Sequence, residues 1–317
     1  MVMATLLDMI NEVSINLSGY TLQQDRATHI TADVAATAST IAAPITLSLA
    51  STDSVGKGIV EIDEELFWVD NYDRVGNTAT IAPYGRAYLG TALAEHTAGT
   101  KVTIAPTFPR FVIKRAINDT ISAVGSSIFA ANKTTITSNL STSAFRLPAT
   151  GNSLNIRSIL AVAYEAIGPS KEWIPIRNYR FDGNANSTAF TSEQTISIYD
   201  MITSGRTIQV VYSTDPSVFP ELATTALTNA QVFETVSGLP ASCKDLIILG
   251  ATYRLLSNLD PARASMVSPQ ADETDSKRPY GSSQSLTRQV YALFTQRLSE
   301  EIKNQQDKYP IRVHYSL

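Results

Sequence analysis

The sequence predicts an α+β protein, a helical bundle with two inserted antiparallel β domains of the small barrel or sandwich type. Three observations lead there. Two blocks of short alternating strands, each punctuated by turn residues, occupy 41–105 and 131–238. Apolar stripes at helical spacing lie before, between and after them. No period of about 20–50 residues marks a solenoid.

The expected organisation is an N-terminal helix and linker (1–40), a small β domain (41–105), a bundle helix (106–130), a second β-sandwich-like domain (131–238), and C-terminal helices with a long loop and a terminal arm (239–317). Leu6, Leu7, Ile10 and Val13 predict a short amphipathic helix over 3–13, with Gly19 as its stop. Residues 20–40 are polar and small, without a period. Strands follow at 45–49, 58–62, 66–69, 78–81 and 101–104, with tight turns at Asp63-Glu64 and Gly76-Asn77.

Thr107 as a cap and Pro109 in the first turn open the next helix, which is expected to run to about Ile128. Ile113, Ile117, Ile121, Val124 and Ile128 form its buried stripe, with Lys114, Arg115, Asn118 and Asp119 off it. Residues 131–155 read as a Ser/Thr/Asn-rich loop. Strands are expected at 156–162, 173–181, 195–199 and 207–212.

Helix returns at Leu239-Pro240. The segment from Leu246 to Leu259 is apolar on nearly every side, as in a central helix buried by its neighbours. Residues 262–281 form a long polar loop. The last helix, 282–307, directs Leu286, Val290, Leu293, Phe294, Leu298 and Ile302 inward, and Ile311–Tyr315 is a short terminal strand.

Composition narrows the function. The formal net charge is −4, against a protein that grips nucleic acid through a basic surface. No run of about 18 apolar residues exists, so no membrane span is expected. The N-terminus has no basic region and Asp8 interrupts it, so no signal peptide is expected. The one cysteine, Cys243, reads as a buried small hydrophobe.

No pattern commits the chain to catalysis, and no cofactor or metal is expected. Gly85 and Gly90-Thr91 outline a phosphate loop but lack its lysine, and a strand rather than a helix follows. Glu61, Asp63, Glu64, Glu65 and Asp70 could supply the paired carboxylates of a glycosidase. The plainer reading is a solvated hairpin with Glu61 and Asp63 on one face. His29, His96 and His314 fall in no catalytic or metal-binding pattern. Arg254, Arg263, Lys277, Arg278 and Arg288 gather positive charge near the long loop, where Asp260, Asp272, Glu273 and Asp275 offset it.

The most specific stretch is Gly85-Arg86-Ala87-Tyr88-Leu89-Gly90-Thr91 with Ala94-Glu95-His96-Thr97-Ala98-Gly99-Thr100-Lys101-Val102, preceded by the acidic strand pair from Val60 to Asp70. Gly85, Gly90 and Gly99 permit turns with positive φ. Arg86, Thr91 and His96 can satisfy backbone groups that an irregular loop leaves open. The stretch resembles a segment of tailed-bacteriophage virion proteins, commonly the head-to-tail connectors (adaptor or head-completion proteins). Phe108-Pro109-Arg110-Phe111 and the helix around Ala116–Thr120 are also similar to those adaptors. The resemblance covers 55–130, is looser over the C-terminal helices and does not reach 131–235. The motif also occurs in tail proteins, so it points to a virion more firmly than to a connector.

The resemblance implies a structural protein of the head-tail neck, assembled in the host cytoplasm. Its copies would form a dodecameric ring beneath the portal protein. The ring would contact neck and tail-completion proteins and the capsid, with DNA passing through without sequence-specific binding. Arg254, Arg263, Lys277 and Arg278 are candidate subunit or portal contacts. Tyr309, Ile311, Val313 and Tyr315 would add a strand to a neighbour. The alternative is a tail or baseplate protein whose β domain binds a glycan through exposed aromatics such as Trp173 or Tyr179.

Overall fold

The computed structural model describes residues 4–21, 25–37, 39–139, 143–148, 155–168, 171–185, 194–220, 230–257 and 282–310. The chain is mixed α/β with antiparallel sheets, and it divides into two compact units. One comprises Met1–Thr120, Val218–Val236 and Ala241–Arg297; the other comprises Ile121–Ser217, Ser237–Pro240 and Leu298–Leu317.

The first unit opens with α1, Leu6–Thr21. It starts later and ends later than the sequence predicts. Thr5 and Asp8 fix its start as a capping box: the Asp8 carboxylate accepts the Thr5 N–H at 3.0 Å, and the Thr5 hydroxyl oxygen accepts the Asp8 N–H at 3.2 Å. Those hydrogen bonds hold the Asp8 carboxyl below its ordinary pKa. Gly19 does not stop the helix.

A 6-stranded sheet follows, in the order β1-β6-β3-β4-β5-β2. Its strands are β1 (Arg26–His29), β2 (Ile45–Ser48), β3 (Gly58–Ile62), β4 (Glu65–Asp73), β5 (Thr78–Ile81) and β6 (Lys101–Ile104). A short helix α2, Ser39–Ala42, precedes β2. β1 lies inside the stretch expected to be linker. Its residues Arg26, Ala27 and His29 are exposed, so no apolar alternation announces it. The sheet is not closed into a barrel, although a single bridge, Ile30 with Leu49, ties the segments beyond its two edges. One core of Ile30, Leu47, Val60, Ile62, Phe67, Val69, Ile81, Val102 and their neighbours fills its inner face.

α3, Arg110–Val124, leaves this sheet. The predicted stripe is buried, with Ile113, Ile117, Ile121, Val124 and Ile128 each at most 2% exposed. The helix ends four residues early, and turns carry the chain on to Ile128. Lys114 and Asn118 are buried as well, against expectation. Lys114 is neutralised by Glu64 at 3.0 Å, and the Asn118 amide bonds both the N–H and the C=O of Phe219. The capping group is not Thr107: the Glu61 carboxylate of β3 accepts the Arg110 N–H.

Further along, the chain forms α4 (Phe233–Ser237) and α5 (Lys244–Ser257). α5 is the buried central helix predicted: Leu246, Ile247, Ile248, Ala251, Leu255 and Leu256 are all buried. It packs on α1, and Gly250 faces Thr120 of α3 and Phe294 of α6. α6 is Ser282–Lys308. Val290 and Phe294 point inward as expected, whereas Leu293 is 54% exposed, being one residue off their stripe.

The second unit holds a 4-stranded sheet, β10-β9-β13-β7, and a 3-stranded sheet, β11-β12-β8. The strands are β7 (Ala130–Thr137), β8 (Ala144–Arg146), β9 (Ile156–Glu165), β10 (Trp173–Pro175), β11 (Tyr179–Asp182), β12 (Thr195–Ile198) and β13 (Thr207–Thr214). Both sheets contribute to one core, through Ile136, Val162, Ile208 and Val210 on one side and Ile196 and Ile198 on the other. β7 and β8 fall where the sequence reads as loop. β7 carries Asn132, Lys133, Thr134 and Thr135 on a half-exposed edge, and its pairing with β13 forms it where propensity does not. Residues 258–281 and 311–317, with the predicted loop and terminal strand, lie outside the described residues.

Candidate functional site

The motif that dominates the sequence folds around one carboxylate. β3 and β4 meet at a tight turn in which Asp63 adopts φ 54°, a left-handed conformation. The turn breaks strand alternation, so Glu61 and Asp63 do not share a face: Glu61 is buried and Asp63 exposed. Glu65, the first residue of β4, is 1% exposed, so the expected solvated hairpin is wrong for Glu61 and Glu65.

The loop between β5 and β6 wraps over Glu65. Arg86 grips it with two parallel bonds, Nε to Oε1 at 3.0 Å and Nη2 to Oε2 at 2.9 Å. The N–H groups of Ala87 and Ala94 donate to the same two oxygens at 3.0 and 2.9 Å. The remaining guanidinium donors reach the carbonyls of Ala35 and Ala94. His96 places Nε2 3.0 Å from Glu65 Oε2 and Nδ1 3.0 Å from Asp63 Oδ2. Phe67 lies under both cations, 5.1 Å from the guanidinium carbon and 5.7 Å from the imidazole centroid.

The protonation states follow from these contacts. Burial alone would raise the Glu65 carboxyl, but hydrogen bonds from His96, Arg86 and Ala94 outweigh it and hold the group below its ordinary pKa. Burial alone would lower His96, but hydrogen bonds to Asp63 and Glu65, with their charges, raise it. Both ring nitrogens face carboxylates, which suits an imidazolium donating twice. Glu61 is different: burial pushes it up to about 7, opposed only in part by the Arg110 N–H.

The other motif residues bind backbone. Thr91 Oγ1 accepts the Leu66 N–H at 3.1 Å and donates to the Tyr88 carbonyl at 3.0 Å. Gly90 and Gly99 have φ +79° and +89°, as expected. Gly85 does not adopt positive φ. It is required because a Cβ there would lie 2.8 Å from the Ala82 carbonyl oxygen and 2.9 Å from that of Trp68. His96 satisfies carboxylates through its ring, not open backbone groups, while its main chain pairs with Val34.

The side chains of Arg86, Glu65 and His96 have no solvent exposure, and only Asp63 reaches water. Their polar atoms are directed at one another, and the result is a fastening that joins three segments of chain. No known protein-family profile matches the chain, and no curated protein matches it. Among the described residues, no group of three or more His, Cys, Asp or Glu side chains is placed to hold a metal ion. None of the helices there is long and apolar enough to cross a membrane.

The remaining candidates are dispersed. Arg254 on α5 stacks its guanidinium on Tyr253 at 5.6 Å. Tyr309 packs its ring 5.8 Å from Phe129. Arg263, Lys277, Arg278, Ile311, Val313 and Tyr315 lie outside the described residues, as does His314. His29 is exposed on β1, and Cys243 is fully buried as predicted. Sequence reasoning missed Glu65 as the centre. The available signal was an acid at the head of Leu66-Phe67, a run too apolar to belong to a solvated hairpin.

Proposed function

We propose that the chain is a structural virion protein of a tailed phage, a ring-forming head-to-tail adaptor that links the portal to the neck and surrounds the DNA channel. The observation that carries this reading is the Glu65 fastening. Of the residues on which the resemblance rests, Arg86 and His96 close on Glu65 with Gly85 and Thr91 buried in the same loop, while Gly90 and Gly99 form its exposed turns, and the result is a solvent-excluded joint of the kind an assembly part needs. In this reading the helices α1, α3, α5 and α6 form the bundle around the channel and the β domains project from it. Arg254, Arg263, Lys277, Arg278 and the arm from Tyr309 make contacts between subunits or with the portal. Net acidity lets DNA slide past without being held.

The test is assembly. The purified chain, alone or mixed with portal protein, should form rings by negative-stain microscopy and native mass spectrometry. A stable monomer that neither rings nor binds portal overturns the reading. The second reading, a tail or baseplate protein with a glycan-binding β domain, is favoured by Trp173, which is 43% exposed on β10. Tyr179, its companion in that expectation, instead packs against the core of the second unit.

A further inference from the structure

The four-stranded sheet ends at β10, and that edge is apolar. Among the described residues β10 pairs with β9 alone. Trp173 and Ile174 on it are 43% and 39% exposed, and Ile167, in the connection from β9, is 83% exposed. Edge strands are usually blunted by charged side chains or covered. β10, Trp173–Pro175, carries no charge.

The edge has distinct faces and free main-chain groups. The Ala166 N–H donates to the Glu172 carbonyl and the Ile176 N–H to the Val162 carbonyl, both at 2.8 Å. Such bonds alternate along an antiparallel ladder, so Ile174 turns its main-chain groups to β9 while Trp173 and Pro175 turn theirs outward. Pro175 lacks an N–H, which an edge strand tolerates on its outer side. Ile174 lines up with Tyr164 and Ile208 on the core face, and Trp173 lines up with Glu165 on the other. The core face of the sheet therefore ends at an exposed isoleucine.

One segment of the chain has the matching pattern. Residues 311–317, outside the described residues, are apolar at every second position: Ile311, Val313, Tyr315 and Leu317 alternate with Arg312, His314 and Ser316. Where this tail begins points to another copy as its donor. Tyr309 packs on Phe129, and the Gln305 amide bonds both the N–H and the C=O of Phe129, at 3.1 and 2.7 Å. Phe129 precedes β7, the opposite edge of the same sheet, three strand spacings or about 14 Å from β10. The tail spans about 23 Å at full extension, so crossing the sheet would take up most of it. The tail of a second copy meets no such limit.

We propose that the β10 edge of each copy receives residues 311–317 of a second copy as an added strand. The strand is antiparallel, like every pair in this sheet. Val313 lies beside Ile174 on the core face and His314 beside Trp173 on the other, and the Arg312 N–H donates to the Pro175 carbonyl. Each copy thus gives at one edge and receives at the opposite edge. A heterologous contact of this kind builds a ring where the rotation closes. The inference names the subunit contact of the adaptor and rests on that reading for ring closure, while the pairing itself stands on the sheet edge.

The full-length protein is followed by native mass spectrometry and sedimentation from about 1 to 100 μM. Assembly should appear as concentration rises. The chain has two tryptophans, so Trp68→Phe leaves Trp173 as the sole reporter, and its emission should shift to the blue as copies join. Ile174→Asp at the receiving edge and Val313→Asp in the tail should each raise the assembly midpoint roughly tenfold or more. Val313→Ile should leave it nearly unchanged. Val313→Asp carries the test if Ile174→Asp does not fold. The two Asp variants, mixed, retain one intact edge and one intact tail, so a heterodimer should form that neither makes alone. Absence of that heterodimer, or assembly undiminished by both variants, overturns the pairing and leaves the ring reading standing. A monomer throughout the range overturns both. Dimers abolished by both variants support the pairing and overturn the ring. A Trp173 shift produced by maltoheptaose and not by chain concentration overturns the proposal in favour of the glycan reading.

Discussion

Arg86 and Glu65, 21 residues apart in the chain, meet in a two-pronged ion pair from which water is wholly excluded. Removing one partner leaves the other charged and buried. Arg86→Met or Glu65→Gln should therefore cost about 3–5 kcal/mol, read from urea unfolding. Arg86→Lys should also be costly, because an ammonium cannot reproduce the fork. The double variant should lose less than the sum of the two single changes. Additive losses would show that the two groups act independently.

The pH dependence has a definite sign. His96 is raised in the fold, so its contribution is complete below its unfolded value near 6.5 and is lost as pH rises through the folded value. Glu61, raised from 4.5 to about 7, behaves alike: its contribution is present at acid pH and disappears as pH rises through about 7. Glu65 is lowered, so its contribution is present above 4.5 and lost as pH falls through its folded value. Stability should be greatest on the acid side of neutrality and should decline above it. Glu61→Gln, which mimics the protonated acid toward Arg110, should flatten the alkaline decline in melting temperature. An undiminished decline would show that Glu61 does not cause it.

Two glycines of the motif should respond for different reasons. At Gly85 a methyl group meets main-chain oxygens that cannot give way, and Gly85→Ala should cost about 2 kcal/mol or more. At Gly90 there is open space but φ is +79°, so Gly90→Ala should cost only about 1 kcal/mol. Chemical denaturation of the pair measures the difference, and equal costs would refute the steric account of Gly85.

Gly250 offers a counter-intuitive case. Alanine normally gains about 1 kcal/mol over glycine inside a helix. Here the added methyl carbon would fall 2.3 Å from Thr120 Cγ2 and 3.0 Å from Phe294 Cε2. Gly250→Ala should destabilise by about 1–3 kcal/mol. Thr120→Ser removes the obstructing methyl and keeps the hydroxyl that bonds the Ala116 carbonyl, so it should restore much of the loss in the double variant. Thermal melts of the four proteins test this.

Elements governed by apolar periodicity were legible in the sequence. The Ile113–Ile128 stripe, the all-round burial of α5 and the Asp63-Glu64 and Gly76-Asn77 turns all follow from local pattern. β1, β7 and β8 did not, because their residues are polar or half exposed and are held by partners distant in sequence. The buried Lys114, Asn118 and Glu65 were hidden for the same reason. A polar side chain enters a core only where a specific partner waits, and Glu64, Phe219 and Arg86 are 50, 101 and 21 residues away. For the motif, the turn roles of Gly90 and Gly99 and the backbone-binding role of Thr91 could be read locally, while the close packing that requires Gly85 and the convergence of Arg86, His96 and two backbone amides on one acid could not.

The fastening also constrains how the strands of the first unit can align. Shifting the β3–β4 hairpin by one residue would turn Glu65 to the opposite face, leaving Arg86 without its anion and two amides without acceptors. Only one alignment of the strands lets the loop close over Glu65 with Ala35, Ala94 and His96 in place. The buried charge therefore proofreads the register of the hairpin: a misaligned pair of strands leaves the loop nothing to close on.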